Sequence, residues 1–89
     1  MKNKIDTSSI INRFKITEGH LRKVREMVES DAYCIDILHQ SQAVEAALKE
    51  INSLILQNHL NTCVVDAIKK GKSKEVIEEV MAVFKRSRK

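Results

Sequence analysis

In this 89-residue chain only Cys34, Cys63 and three histidines, His20, His39 and His59, offer soft or borderline donors to a metal ion. His59 and Cys63 are four positions apart, so on an α-helix they share one face and can hold one ion together. Cys34 lies 25 positions before His59. On one straight helix that separation is about 37 Å at ~1.5 Å per residue, which no single ion can bridge. A symmetric dimer removes the obstacle. In two antiparallel copies of the helix, residues whose numbers sum to a constant lie at similar heights. Cys34 then reaches the level of His59 and Cys63 when the two-fold axis passes near residues 46–49. Ala43, Ala46 and Ala47 lie there, and small side chains permit close helix approach. Each of the two equivalent sites takes one thiolate from one copy and an imidazole plus a thiolate from the other. Such a set suits Cu(I), which accepts soft, low-coordinate sites. Zinc would want a fourth ligand or a water. The alternative is that both cysteines are small buried hydrophobes and His59 is a surface residue. The spacing leaves both readings open.

The element that must position these donors is a long helix. From Ala32 to Gly71 the chain holds no breaker, and Ser30-Asp31 offers a cap before it. Lys69 and Lys70 precede Gly71, the cation-then-glycine order of a helix C-terminus. Val44, Leu48, Ile51 and Ile55 form one apolar seam, widened by Ala47 and Leu54. Leu56, Leu60, Val64 and Ile68 form another, displaced around the helix. So broad an apolar surface predicts packing inside an oligomer. A first helix is expected from about Thr7 to Glu29, with Asp6, Thr7 and Ser8 as competent caps. Its apolar face is Ile10, Phe14, Leu21, Val24 and Val28. A third, capped by Ser73, should run from about Lys74 to Arg86 with Val76, Ile77, Val80, Val83 and Phe84 inward. The predicted class is all-α, with three helices per chain in an antiparallel helical-bundle dimer or a dimer of dimers. Residues 1–89 form one domain, with a frayed basic tail over 85–89.

Composition supports this. Two Gly and no Pro stand where about six and four are usual, which argues against sandwiches, barrels and disulfide knots. A chain this short buries only about 60–65% of its unfolded surface, so its core is marginal alone. Two cysteines are too few for a secreted disulfide scaffold, and no apolar run is long enough to span a membrane. Met1 to Asp6 is polar and unlike a signal peptide, and with so few cysteines a reducing cytoplasm, or else a nucleus-like compartment, is expected. No acid/base pair, nucleophile arrangement or phosphate loop points to an enzyme.

Charge is uneven. The chain carries a net +4: residues 1–31 hold +2, residues 32–71 hold −1 and residues 72–89 hold +3. A near-neutral middle thus lies between basic ends. A basic surface attracts phosphate by counterion release, so nucleic acid is a candidate partner, with solubility the plain alternative.

The stretch Arg13-Phe14-Lys15-Ile16-Thr17-Glu18-Gly19-His20 resembles the first-helix signature R-L-x-R-x-x-G-Q of the copper-sensitive operon repressor family. Tyr33-Cys34-Ile35-Asp36-Ile37-Leu38-His39-Gln40 resembles its Y-C-x-D-(I/V)-L-x-Q segment. Asn58-His59-Leu60-Asn61-Thr62-Cys63-Val64 resembles its x-H-L-x-x-C-V segment. The likeness spans nearly the whole chain. It implies an all-helical dimer or dimer of dimers whose metal-free form binds operator double-stranded DNA. Binding of Cu(I) then weakens DNA affinity and releases efflux or chaperone genes from repression. It implies Cys34, His59 and Cys63 as the Cu(I) ligands. It also implies Tyr33 and Glu79 as neighbours that couple metal binding to DNA release, Glu79 being chosen over Glu78 by spacing.

Other branches of that family fit less well. Nickel and cobalt sensors carry an additional N-terminal His, whose counterpart here falls near Lys2. Persulfide sensors lack the His, and formaldehyde sensors lack the last Cys. Two departures touch the DNA side: His20 stands where Gln is usual, and Ile16 where a basic residue is frequent. A further basic position falls near Glu50, with Lys49 beside it. The expected DNA contacts are Arg13 and Lys15, from the signature, and Arg22 and Lys23, from charge and proximity; a solvated face is the plain alternative. Phosphate contacts would position the protein, and base edges or DNA shape would specify the site. His20 reads as a plain surface residue or an alternative polar DNA contact, and His39 as an exposed helix residue.

Overall fold

A computed structural model of the chain describes residues 7–87. Lys2, the cap candidate Asp6, and Arg88 and Lys89 of the basic tail lie outside the described residues. Helix α1 is Thr7–Glu29. It passes straight through Gly19, where an added Cβ would meet nothing within 4 Å, so that glycine serves no packing need.

The end of α1 differs from expectation. The Ala32 N–H donates to Met27 O (2.9 Å) and the Asp31 N–H to Val28 O (3.1 Å). With Asp31 at φ 63°, this is a Schellman turn in which Asp takes the left-handed position that usually falls to Gly. Ser30-Asp31 therefore closes α1 instead of capping the next helix. Helix α2 is Cys34–His59, two residues later than Ala32, and the Tyr33 carbonyl accepts its first bond from Ile37 N–H (3.1 Å).

The uninterrupted helix expected to Gly71 is also corrected. Leu60–Val64 forms a π-helical turn, followed by α3, Val65–Lys69. His59 (φ −61°, ψ −45°) and Val65 (φ −59°, ψ −44°) flank the turn in right-handed helical geometry, so the backbone passes through it without a break. A second Schellman turn follows. The Lys72 N–H donates to Ala67 O (2.8 Å) and the Gly71 N–H to Ile68 O (3.0 Å), with Gly71 at φ 76°. Gly71 thus holds the stop position its sequence context predicted. Helix α4 is Ser73–Ser87 and its first bond runs from Val76 N–H to Lys72 O, which makes Ser73 its first residue and not its cap. Lys85 and Arg86 sit in its last turn, where cations complement the helix dipole.

The chain divides into two compact units, one built by α1 and α2 as far as Leu56, the other from Gln57 onward. In the first, α1 and α2 run antiparallel: His20 meets Gln40, while Arg13 and Thr17 line the same groove as Ala47 and Ile51. Its core is Ile10, Val24, Val44 and Ile51, with Ile51 only 1% exposed. Thr17 is buried among them, and its hydroxyl donates to Arg13 O (2.8 Å), which removes the cost of an unpaired polar group. In the second unit α3 packs on α4, and Val64 and Val76 are buried.

Several residues expected inside are exposed in the single chain. They are Phe14, Leu21 and Val28 of α1, Leu48 of α2, Leu60 of the π turn, Ile68 of α3, and Ile77, Val83 and Phe84 of α4. The apolar faces are wider than the neighbours one chain supplies. On α1, Ile10, Thr17 and Val24 turn inward at intervals of seven, while Phe14, Leu21 and Val28 repeat at the same interval on a face left open.

Candidate metal centre

Cys34 is the first residue of α2 and His59 its last. Cys34 is exposed and Cys63 is half-buried, and neither is in a disulfide. Among the described residues, no three His, Cys, Asp or Glu gather into a possible metal cluster.

His59 is half-buried and immediately precedes the π turn, and Cys63 lies inside it. A π turn carries i→i+5 bonds and one more residue per turn than an α turn. A spacing of four overshoots one α turn slightly and falls slightly short of one π turn, so the two donors keep a common side. Such turns concentrate at functional sites.

Thr62 sits between the two donors. Its hydroxyl donates to Asn58 O (2.6 Å) and lies 3.6 Å from Cys63 Sγ. Sequence reasoning missed both the π turn and Thr62. The available signal was the misregister between the apolar seam ending at Ile55 and the one beginning at Leu56.

The remaining predicted residues fall as follows. Tyr33 adjoins Cys34 and is 67% exposed, and Glu79 is exposed on α4. Arg13, Lys15, Arg22 and Lys23 are all exposed on α1. Arg22 makes a loose ion pair with Glu26 (3.7 Å), both side chains well exposed, which contributes little in high dielectric. Glu50, where a basic residue was expected, shares the groove of Arg13. His20 takes part in an exposed contact between the two helices: its Nε2 lies 2.8 Å from Gln40 Oε1. His39 is exposed on α2.

Two thiols and one imidazole form a donor set that fits a soft, low-coordinate ion. Cys34, His59 and Cys63 are the residues able to hold it, and none needs a disulfide broken first.

The chain is similar to known proteins over nearly its whole length. A family model described as metal-sensitive transcriptional repressor matches residues 6–86. The copper-sensing transcriptional repressor CsoR of Bacillus subtilis is 44% identical over 85 residues, covering 96% of this chain and 84% of that protein. CsoR of Mycobacterium tuberculosis is 41% identical over 75 residues, 84% of this chain. The match covers 63% of that longer relative, less than two thirds of its length. Among solved structures, the copper-sensing repressor CsoR with Cu(I) from Geobacillus thermodenitrificans superposes with a TM-score of 0.91 at 39% identity. It covers 100% of this chain and 93% of that one. The nickel-responsive transcriptional regulator InrS gives 0.77 at 30% identity, over 97% of this chain and 96% of that one. No described helix is long and apolar enough to cross a membrane. The all-helical chain belongs to the metal-sensitive transcriptional repressor family.

Proposed function

We propose that the chain is a Cu(I)-responsive transcriptional repressor, acting in the cytoplasm as a homodimer or a dimer of dimers. The observation that carries this reading is the placement of Cys34 and His59 at the two ends of α2, with Cys63 one turn beyond. A straight helix keeps Cys34 from its own chain's His59, so a second copy completes each site. Cys34 of one protomer joins His59 and Cys63 of its partner, and the ion supplies a soft Lewis-acid centre binding the three. The open apolar stripe of α1, with Phe14, Leu21 and Val28, and the exposed Ile77, Met81 and Phe84 of α4 support assembly. Contiguous apolar area of this kind is normally covered by a partner.

The metal-free form binds operator DNA through the exposed cations Arg13 and Lys15, with Arg22 and Lys23 adding to the field. Tyr33 and Glu79 stand beside the ligands in the assembly and transmit occupancy. Cu(I) binds the low-affinity DNA state more tightly, and the coupling is reciprocal. The chain's role is regulatory binding and not catalysis.

Titration of the reduced protein with Cu(I), followed by operator binding at fixed salt, tests this. The expected result is one Cu(I) per protomer and loss of DNA affinity as the sites fill. Release by nickel and not by Cu(I) would refute the choice of inducer. Absence of any salt-dependent operator binding by the metal-free protein would point to a copper carrier instead.

A further inference from the structure

The π turn brings one hydroxyl to two acceptors of different kinds. Thr62 Oγ1 lies 2.6 Å from Asn58 O and 3.6 Å from Cys63 Sγ. A threonine hydroxyl has a single proton to donate, so only one acceptor takes a strong bond at a time. In this structure the short contact is to the carbonyl. Thr17 makes the same i−4 back-bond in α1, at 2.8 Å to Arg13 O, and there the helix stays α-helical. The back-bond alone therefore does not produce a π turn. What sets Thr62 apart is its neighbour sulfur and its place between His59 and Cys63.

We propose that Thr62 is a positioning residue for Cys63, shifting its hydroxyl proton from the Asn58 carbonyl to the cysteine sulfur when a metal ion binds. The inference rests on Cys63 being a ligand. A cysteine that ligates a metal ion does so as a thiolate, a charged acceptor. A charged acceptor outcompetes a neutral carbonyl for the one available proton. The Asn58 carbonyl then loses its side-chain bond, and the hydrogen bonding of the π turn changes with occupancy. Thr62 thus has two effects: it strengthens the site, and it reports the state of the sulfur to the backbone between His59 and Cys63.

The test compares wild type with Thr62→Val, which keeps the shape and removes the hydroxyl, and Thr62→Ser, which keeps the hydroxyl. Cu(I) affinity is read by competition with a chromophoric Cu(I) chelator. Amide hydrogen exchange over residues 60–65 is read with and without Cu(I). A hydrogen bond to a charged group is worth about tenfold in affinity. Thr62→Val should therefore bind Cu(I) about tenfold more weakly, and Thr62→Ser within about twofold of wild type. Wild type and Thr62→Ser should change exchange over 60–65 on saturation, and Thr62→Val should lack that change. Should Thr62→Val fail to fold, Thr62→Ala replaces it with the same expectations. Wild-type affinity and exchange in the hydroxyl-free variant would overturn the proposal. So would equal weakening by Ser and Val, which marks a shape effect. Cys63→Ala, as control, should lose high-affinity binding. If it bound Cu(I) as wild type does, the ligand assignment itself would fall, and the role of Thr62 with it.

Discussion

Mixing two inactive variants should restore copper binding, by an amount that symmetry fixes. Cys34→Ala removes the ligand at the start of α2, and Cys63→Ala removes the one inside the π turn. Each homodimer then lacks a ligand in both of its sites. In a mixed dimer the two losses fall on the same site. The other site takes Cys34 from the Cys63→Ala protomer and His59 with Cys63 from the Cys34→Ala protomer, so it is intact. Random pairing of equal amounts makes about half of the dimers mixed, each with one good site of two, or about a quarter of the wild-type capacity. Folding should not obscure the result. Cys34 is exposed in the single chain, so its truncation should change the stability of the protomer fold by no more than about 0.5 kcal/mol. Cys63 is only half-buried, and its loss should cost about 1 kcal/mol. The assay is Cu(I) bound against a chelator that strips two-ligand sites, after co-refolding the variants under reduction. Mixed-dimer formation is checked by native mass spectrometry. No recovered capacity in a sample shown to hold mixed dimers would refute the shared site, because ligands within one chain cannot complement.

Other expectations are more local. Gly71→Ala should destabilise by about 1 kcal/mol in urea unfolding at fixed protein concentration, since φ 76° costs any Cβ-bearing residue. Asp31→Gly, at φ 63°, should do the opposite by about 0.5 kcal/mol, left-handed strain being relieved and unfolded-state entropy partly offsetting it. Ile51→Ala should cost about 3 kcal/mol, because Ile51 is 1% exposed and its neighbours cannot fully collapse into the space; a cost under about 1 kcal/mol would show that the helical hairpin is not packed as described. Arg13→Ala and Lys15→Ala should each lower the slope of log affinity for operator against log salt by about 0.9, as measured by fluorescence anisotropy. An unchanged slope would place their cations away from phosphate.

Much of the helical layout could be read from residue order alone. The lack of proline left α1 and α2 no reason to stop early, and Gly71 marked its stop because left-handed backbone is cheapest for glycine. The turn at Ser30-Asp31 was misread because Asp serves two purposes. It caps helix starts, and it also tolerates the left-handed position at helix ends, and here the second use prevails. The α1 face was drawn too broadly. Periodicity identifies apolar residues but not which of two seven-residue stripes meets a neighbour in the same chain, and Thr17 is buried where Phe14 and Leu21 are not. Of the candidate centre, the donors were legible from type and spacing, because sulfur and imidazole at a separation of four can share one ion.

Residue order alone settles that this chain is helical and sets Cys34 25 positions before His59. The helical character follows from composition and the apolar period. The tertiary structure decided what no period encodes: that the helix changes to π bonding at Leu60, and that Thr62 lies between a carbonyl and the Cys63 sulfur. A π turn replaces i→i+4 backbone bonds with i→i+5 bonds over a few residues, and no single residue type marks where that happens.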